Sequence, residues 1–161
     1  MSEITIRPIE ISDLDEFKWT GGQTHIEYFK DALKKSVDGG VLFLGAWKDT
    51  LAVGRCGIDF EKNPGKATLW MFNVKEGLQG QGIGTLIMKD AEKVIAEKDI
   101  DEVVLNVEKD NSRAKDLYIK RGYVATGEGE ESWEEDGPNG TAVTYHAEVI
   151  HMSKSLGNED V

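Results

Sequence analysis

The chain has 161 residues, 39% of them hydrophobic and 30% charged, with a formal net charge of −11 at pH 7. This is the size and composition of one globular domain over 1–161, not of a disordered segment. The negative balance argues against a nucleic-acid binder, which needs a basic face to neutralise phosphates; it suits either plain solubility or a cationic substrate. The single cysteine, Cys56, excludes an intrachain disulfide framework. Residues 1–10 lack a basic start and apolar run, and the longest apolar stretch, Val41–Trp47, is far short of the roughly 20 residues of a membrane span. The expectation is a cytoplasmic protein with no membrane partner.

Ile4, Ile6 and Pro8 open an extended segment. Ser12 with Asp15 and Glu16 reads as a helix start that turns Leu14 and Phe17 inward, and Gly21–Gly22 breaks it. Thr24 reads as the cap of a second helix carrying Ile26, Phe29 and Leu33 at helical spacing. Val41–Trp47 and Leu51–Phe60 are two strands joined by a hairpin-length connection, and Ala67–Val74 returns as a third after the turn at Asn63–Gly65. Beyond Gly77, Ile83, Leu86, Ile87, Val94 and Ile95 recur at helical period. Val103–Val107 is a nearly continuous apolar run, as in a strand covered on both faces. A helix marked by Ala114, Leu117 and Tyr118 ends at Gly122, and Tyr123–Thr126 and Thr141–Met152 are the last strands. Glu128–Gly140 reads as an acidic loop. The order predicts a mixed α/β sheet with helices on its faces.

Gln79-Gly80-Gln81-Gly82-Ile83-Gly84-Thr85 follows a predicted strand and opens a long amphipathic helix. Glycines let a ligand approach the backbone, and the free N–H groups and dipole of a helix start favour phosphate oxygens. A nucleotide-hydrolase loop would need Gly-Lys-Ser/Thr at its end, but Gly84 is followed by Thr85. A dinucleotide fold needs Gly-x-Gly-x-x-Gly after its first strand, whereas Gly80, Gly82 and Gly84 lie in mid-chain.

The pattern Gln79-x-x-Gly82-x-Gly84 resembles the signature of the GCN5-related N-acetyltransferase (GNAT) family. Phe72-Asn73-Val74 before it, and Asn111, Ala114, Leu117-Tyr118 and Gly122-Tyr123 after it, resemble the family's flanking pattern in the same order. The resemblance spans nearly the whole chain. It implies about seven strands, an antiparallel meander followed by a splayed parallel fourth and fifth strand, and four flanking helices. It implies acetyl-CoA as donor and direct transfer to an amine. The coenzyme-binding positions it implies are Gln79, Gly80, Gln81, Gly82, Ile83, Gly84 and Thr85 for the pyrophosphate, backbone groups of Phe72, Asn73 and Val74 for pantetheine, and Asn111 and Tyr118. Tyr118 matches the family's general acid, which serves the departing thiolate.

Ribosomal-protein acetyltransferases of the family carry a glutamate base on the fifth strand. The aligned position here is Asn106, which cannot accept that role; Glu108 lies two residues along. Trp19, Tyr28, Glu108 and Trp133 are candidate substrate residues, and the six carboxylates of Glu128–Asp136 fit a cationic acceptor. The leading reading is acetylation of a small cationic amine. The alternatives are acetylation of a protein N-terminus or lysine, and a non-catalytic acetyl-CoA-binding module. Many members of the family dimerise through late strands, so a homodimer is left open. The three histidines have no ligand spacing, and no metal is expected.

Overall fold

A computed structural model describes residues 3–157. One seven-stranded sheet has the order β1-β2-β3-β4-β5-β7-β6. The strands are β1 (Ile4–Pro8), β2 (Val41–Lys48), β3 (Leu51–Asp59), β4 (Ala67–Val74), β5 (Glu102–Glu108), β6 (Val124–Asp136) and β7 (Ala142–Ser155). Neighbours pair antiparallel except β4 and β5, which run parallel. A 3₁₀ helix over Ile11–Thr20 and α1 (Gln23–Lys35) precede the meander, and α2 (Ile83–Glu97) and α3 (Ser112–Lys120) follow it. These are the four expected helices, but the first is wound tighter than the α-helix expected from Ser12.

Period-two alternation sends the apolar residues of the meander to both faces. On one face Phe43, Trp47 and Ala52 meet Phe17, Phe29 and Leu33. There Phe29 stands edge-on to both Phe17 and Phe43, with ring centroids 6.1 Å and 5.0 Å away. On the other face Leu44, Val53, Ile58, Leu69 and Leu105 pack against Ile83, Ile87, Met88, Ala91 and Ile95 of α2. Each buried leucine, isoleucine, valine or methionine side chain there stabilises the fold by about 1.5–3 kcal/mol. In β5 the inward set is Val103, Leu105 and Val107, while Asn106 is exposed. The expectation of a strand covered on both faces therefore holds only for its first half.

The segment Glu128–Asp136 is not a loop. It belongs to β6, which pairs with β7 from Val124↔Ser153 to Asp136↔Ala142. Gly129, Glu131 and Trp133 are half-buried, and the residues between them are exposed. Its composition is poor in strand formers, so its order comes from the partner strand. Its other edge is free and acidic, a device that discourages further pairing. The cap of α1 also differs from expectation. Gly22 occupies the N-cap position, and Thr24 lies inside the first turn.

Candidate active site

The parallel pairing of β4 and β5 covers Ala67↔Val103, Thr68↔Val104 and Leu69↔Leu105, and then stops. The cause lies in β4. Arg55 pairs with Asn73 and Gly57 with Trp70, so Met71 and Phe72 together oppose Cys56. Met71 takes a left-handed backbone, φ 53°. One extra residue bends β4 away from β5. Beyond Leu69 the two strands diverge, leaving backbone polar groups on both sides of a gap with no strand between them. An extended, amide-containing ligand fits such a gap as an added strand would.

At the end of β4 the chain turns through Gly77, Gly80 and Gly82, at φ 89°, 83° and 85°, into α2. Gly82 is the N-cap of that helix. Among the described residues, no backbone carbonyl accepts from the N–H groups of Gln79–Thr85. Seven consecutive positions that keep their donors free at a helix start form an anion cradle. A Cβ on Gly84 would lie 3.1 Å from both Leu117 and Phe72, so this glycine lets α2 sit close to α3 and β4. The Gln79 side chain donates to the Val74 carbonyl at 3.2 Å and ties the loop to the strand.

A cleft of about 1190 Å³ opens on the α1 face at the gap. Phe72, Asn73, Asn111 and Tyr118 line it, whereas Val74 and Gln79–Thr85 lie outside it. Asn111 caps α3, its side-chain oxygen accepting from Ala114 N–H at 3.2 Å. Tyr118 is 7% exposed, between the rings of Phe72 and Tyr123 at 6.0 Å each. Burial raises its phenol well above the ordinary value, with Cys56 contributing, so it stays protonated. Burial pushes the Cys56 thiol up to about 12. A protonated, fully buried thiol is no nucleophile.

Lining the cleft from β3, Arg55 is 1% exposed and has no carboxylate partner among the described residues. Its Nε and Nη2 both donate to Asn73 Oδ1, at 3.0 and 2.7 Å, and Nη2 also donates to His25 Nε2 at 2.6 Å. The guanidinium stacks 4.5 Å from the Phe29 ring. Burial brings its pKa down to about 9, which leaves it charged at neutral pH. Burial first, and the Arg55 charge second, bring His25 down to about 4, so the imidazole is neutral. The sequence reading missed Arg55, although a lone arginine inside the apolar run Leu51–Phe60 is visible there.

The far wall is β6. Glu131, Trp133 and Glu135 fall on alternate positions and line the cleft. Asn106 donates to Glu131 Oε2 at 2.5 Å and accepts from His151 Nδ1 at 2.6 Å. Gly129 makes room for that imidazole, because a Cβ there would lie 2.7 Å from His151 Nε2. Trp133 and Tyr145 stack at 4.7 Å, and the Tyr145 hydroxyl reaches Glu108 at 3.4 Å. Tyr28 and Glu108 line the cleft. Trp19 does not; it packs beside Phe17 at 6.2 Å, behind α1. Its sequence position next to the glycine break carried no sign of which way it turns. No cluster of potential metal ligands occurs among the described residues, and no helix there is long and apolar enough to cross a membrane.

A sheet that splays in the middle of its one parallel pair, with an anion cradle at one end of the gap, is the architecture of an acyl-CoA-dependent transferase. The acetyltransferase (GNAT) family profile matches residues 8–123, and the chain belongs to that family. It is an N-acetyltransferase. A spermidine N(1)-acetyltransferase from Thermoplasma acidophilum is 28% identical over 143 residues, covering 74% of this chain and 88% of the relative. The PaiA N-acetyltransferase from the same organism, solved in complex with coenzyme A, superposes with a TM-score of 0.67 at 24% identity, over 95% of this chain and 99% of that chain. The ribosomal-protein-S18-alanine N-acetyltransferase from Escherichia coli superposes with a TM-score of 0.71 at 17% identity, over 99% of each chain. The last two likenesses establish the fold.

Proposed function

We propose that this acetyltransferase takes acetyl-CoA as donor and a small polycationic amine, of the polyamine class, as acceptor. The observation that carries the acceptor is the cleft wall: Glu27 and Asp31 of α1, Glu108 of β5, and Glu131 and Glu135 of β6 line it together with Trp133, which stacks on Tyr145. Carboxylates around an aromatic face suit alkylammonium groups, which gain both ion pairing and cation–π attraction. The likeness to a spermidine acetyltransferase supports the same reading.

On the donor side, the free amides of Gln79, Gly80, Gln81, Gly82, Ile83, Gly84 and Thr85 hold the pyrophosphate. Backbone groups of Phe72, Asn73 and Val74 hold pantetheine in the gap, and Asn111 borders it. The amine nitrogen attacks the thioester carbon, and the π pair moves to oxygen. When the carbonyl re-forms, the C–S bond breaks and the thiolate takes a proton from Tyr118. The amine sheds its own proton into the carboxylate-lined cleft. An alkylamine with a pKa of about 10 is mostly protonated at pH 7, so the reaction should accelerate with rising pH.

The test is thiol release from acetyl-CoA across monoamines, diamines, spermidine, aminoglycosides and peptides with free N-termini. Polyamines should have the highest kcat/KM. Highest turnover with an alanine-initiated peptide would overturn the acceptor assignment. The double variant Glu131→Gln, Glu135→Gln should raise KM for spermidine about tenfold and leave KM for acetyl-CoA unchanged, in line with loss of one or two charge-assisted contacts.

A further inference from the structure

Arg55 has donors and no acceptor. The oxygen of the Asn73 carboxamide must therefore face it, and that oxygen takes both Nε and Nη2. The orientation of the amide is thus fixed, and its nitrogen is turned the other way. Asn73 lines the cleft, at the position where β4 has left β5. Among the described residues, nothing accepts from Asn73 Nδ2.

Arg55 itself is badly placed to grip a ligand. Nε and Nη2 are spent on Asn73 and His25, and Nη1 is buried without a partner. An ion buried without a counter-charge costs several kcal/mol, and an apolar side chain of similar size would be cheaper there. Its charge nevertheless acts on what it touches. A cation bonded to the amide oxygen draws density from the carboxamide and makes the N–H₂ a stronger donor.

We propose that the Asn73 Nδ2–H₂ group donates to the carbonyl oxygen of the acetyl thioester, and that Arg55 is the positioning residue that turns and polarises it. This rests on the reading that acetyl-CoA lies in the gap between β4 and β5. As the amine nitrogen bonds to the carbonyl carbon, the π pair becomes an oxyanion, and a preorganised donor is most useful at that moment. His25, neutral and accepting from Nη2, closes the third side of the guanidinium and leaves Asn73 as its outlet toward the cleft.

The experiment compares wild type with Asn73→Ala, Asn73→Asp and Arg55→Met. Asparagine to aspartate is the informative change, because a carboxylate accepts from Arg55 as the amide oxygen does, yet offers no N–H. Coenzyme A affinity is measured by calorimetry, and the carbonyl stretch of bound acetyl-CoA, 13C-labelled at the carbonyl, by difference infrared spectroscopy. Wild type should bind coenzyme A and shift the carbonyl band to lower wavenumber. Both Asn73 variants should bind within about threefold of wild type and return the band toward its solution position. Arg55→Met should fall between. With spermidine as acceptor, kcat should drop about 100-fold in the Asn73 variants at unchanged KM for acetyl-CoA, the usual loss for one oxyanion donor. A wild-type band identical to that of Asn73→Asp would overturn the proposal while leaving the donor site standing. Failure of wild type to bind coenzyme A would overturn the donor-site reading and this proposal with it.

Discussion

Asp136, the last residue of β6, accepts from the Thr24 backbone N–H at 3.0 Å and from the Thr24 hydroxyl, 112 residues away in the chain. A strand end thereby caps the first turn of α1, and the two walls of the cleft are latched together. Gly22 leaves the space, because a Cβ there would lie on the carboxylate. Asp136→Ala should lower the melting temperature by a few degrees and raise KM for the acceptor several-fold, with coenzyme A affinity unchanged. Asp136→Asn, which keeps an acceptor oxygen, should lose less. These hydrogen bonds hold the Asp136 pKa below the ordinary carboxylate value. The latch contributes fully above the unfolded pKa of about 3.9, and its contribution is lost as pH falls through the lower folded value.

Tyr118→Phe should lower kcat about 100-fold while coenzyme A affinity stays within a factor of two, since general acid catalysis is worth about 10²–10⁴. Because burial raises the phenol pKa, the wild-type rate should show no alkaline fall from Tyr118 below about pH 10. Steady-state kinetics from pH 6 to pH 10 check both points, and unchanged turnover would remove Tyr118 as the acid.

Gly82→Val should weaken coenzyme A binding at least tenfold by calorimetry. The position is left-handed, at φ 85°, and a β-branched residue there costs on the order of 1–2 kcal/mol or reshapes the cradle. Nothing crowds the site, so the loss would come from backbone geometry and not from a clash.

His25 titrates at about 4 in the folded protein, against about 6.5 when unfolded. A depressed folded pKa means that the unfolded chain binds the proton first. Its contribution is present above pH 6.5 and is lost as pH falls toward 4. His25→Gln should therefore flatten the fall in melting temperature between pH 6.5 and pH 5. Equal slopes for the two proteins would show that the Arg55–His25 pair is not the source of the acid sensitivity.

The turn and helix start of the proposed donor half were legible because their geometry is local. Gly80, Gly82 and Gly84 are needed by one turn and one helix start, and their spacing is written in consecutive residues. The meander and the α2 face were legible for the same reason, from periods of two and 3.6. The acceptor half was not. Glu128–Asp136 contains few strand formers, and it is a strand only because Ala142–Ile150 lies beside it. Trp19 and Tyr28 look alike in sequence, yet the first turns into the aromatic cluster and the second toward the cleft. Arg55, Asn73 and His25 come from β3, β4 and α1, and no spacing within one segment announces their meeting.

The long β6–β7 hairpin has a consequence for how such an enzyme changes over time. The acceptor wall hangs on the outermost strand of the sheet, touching the rest mainly through β5 and the Thr24 latch. The proposed coenzyme cradle is built on α2, the bend in β4 and the start of α3, apart from that hairpin. Mutations that re-shape the hairpin tip can retune which amine enters without disturbing the thioester. On the proposed reading, specificity and chemistry are housed in separable parts of one sheet, free to drift at different rates.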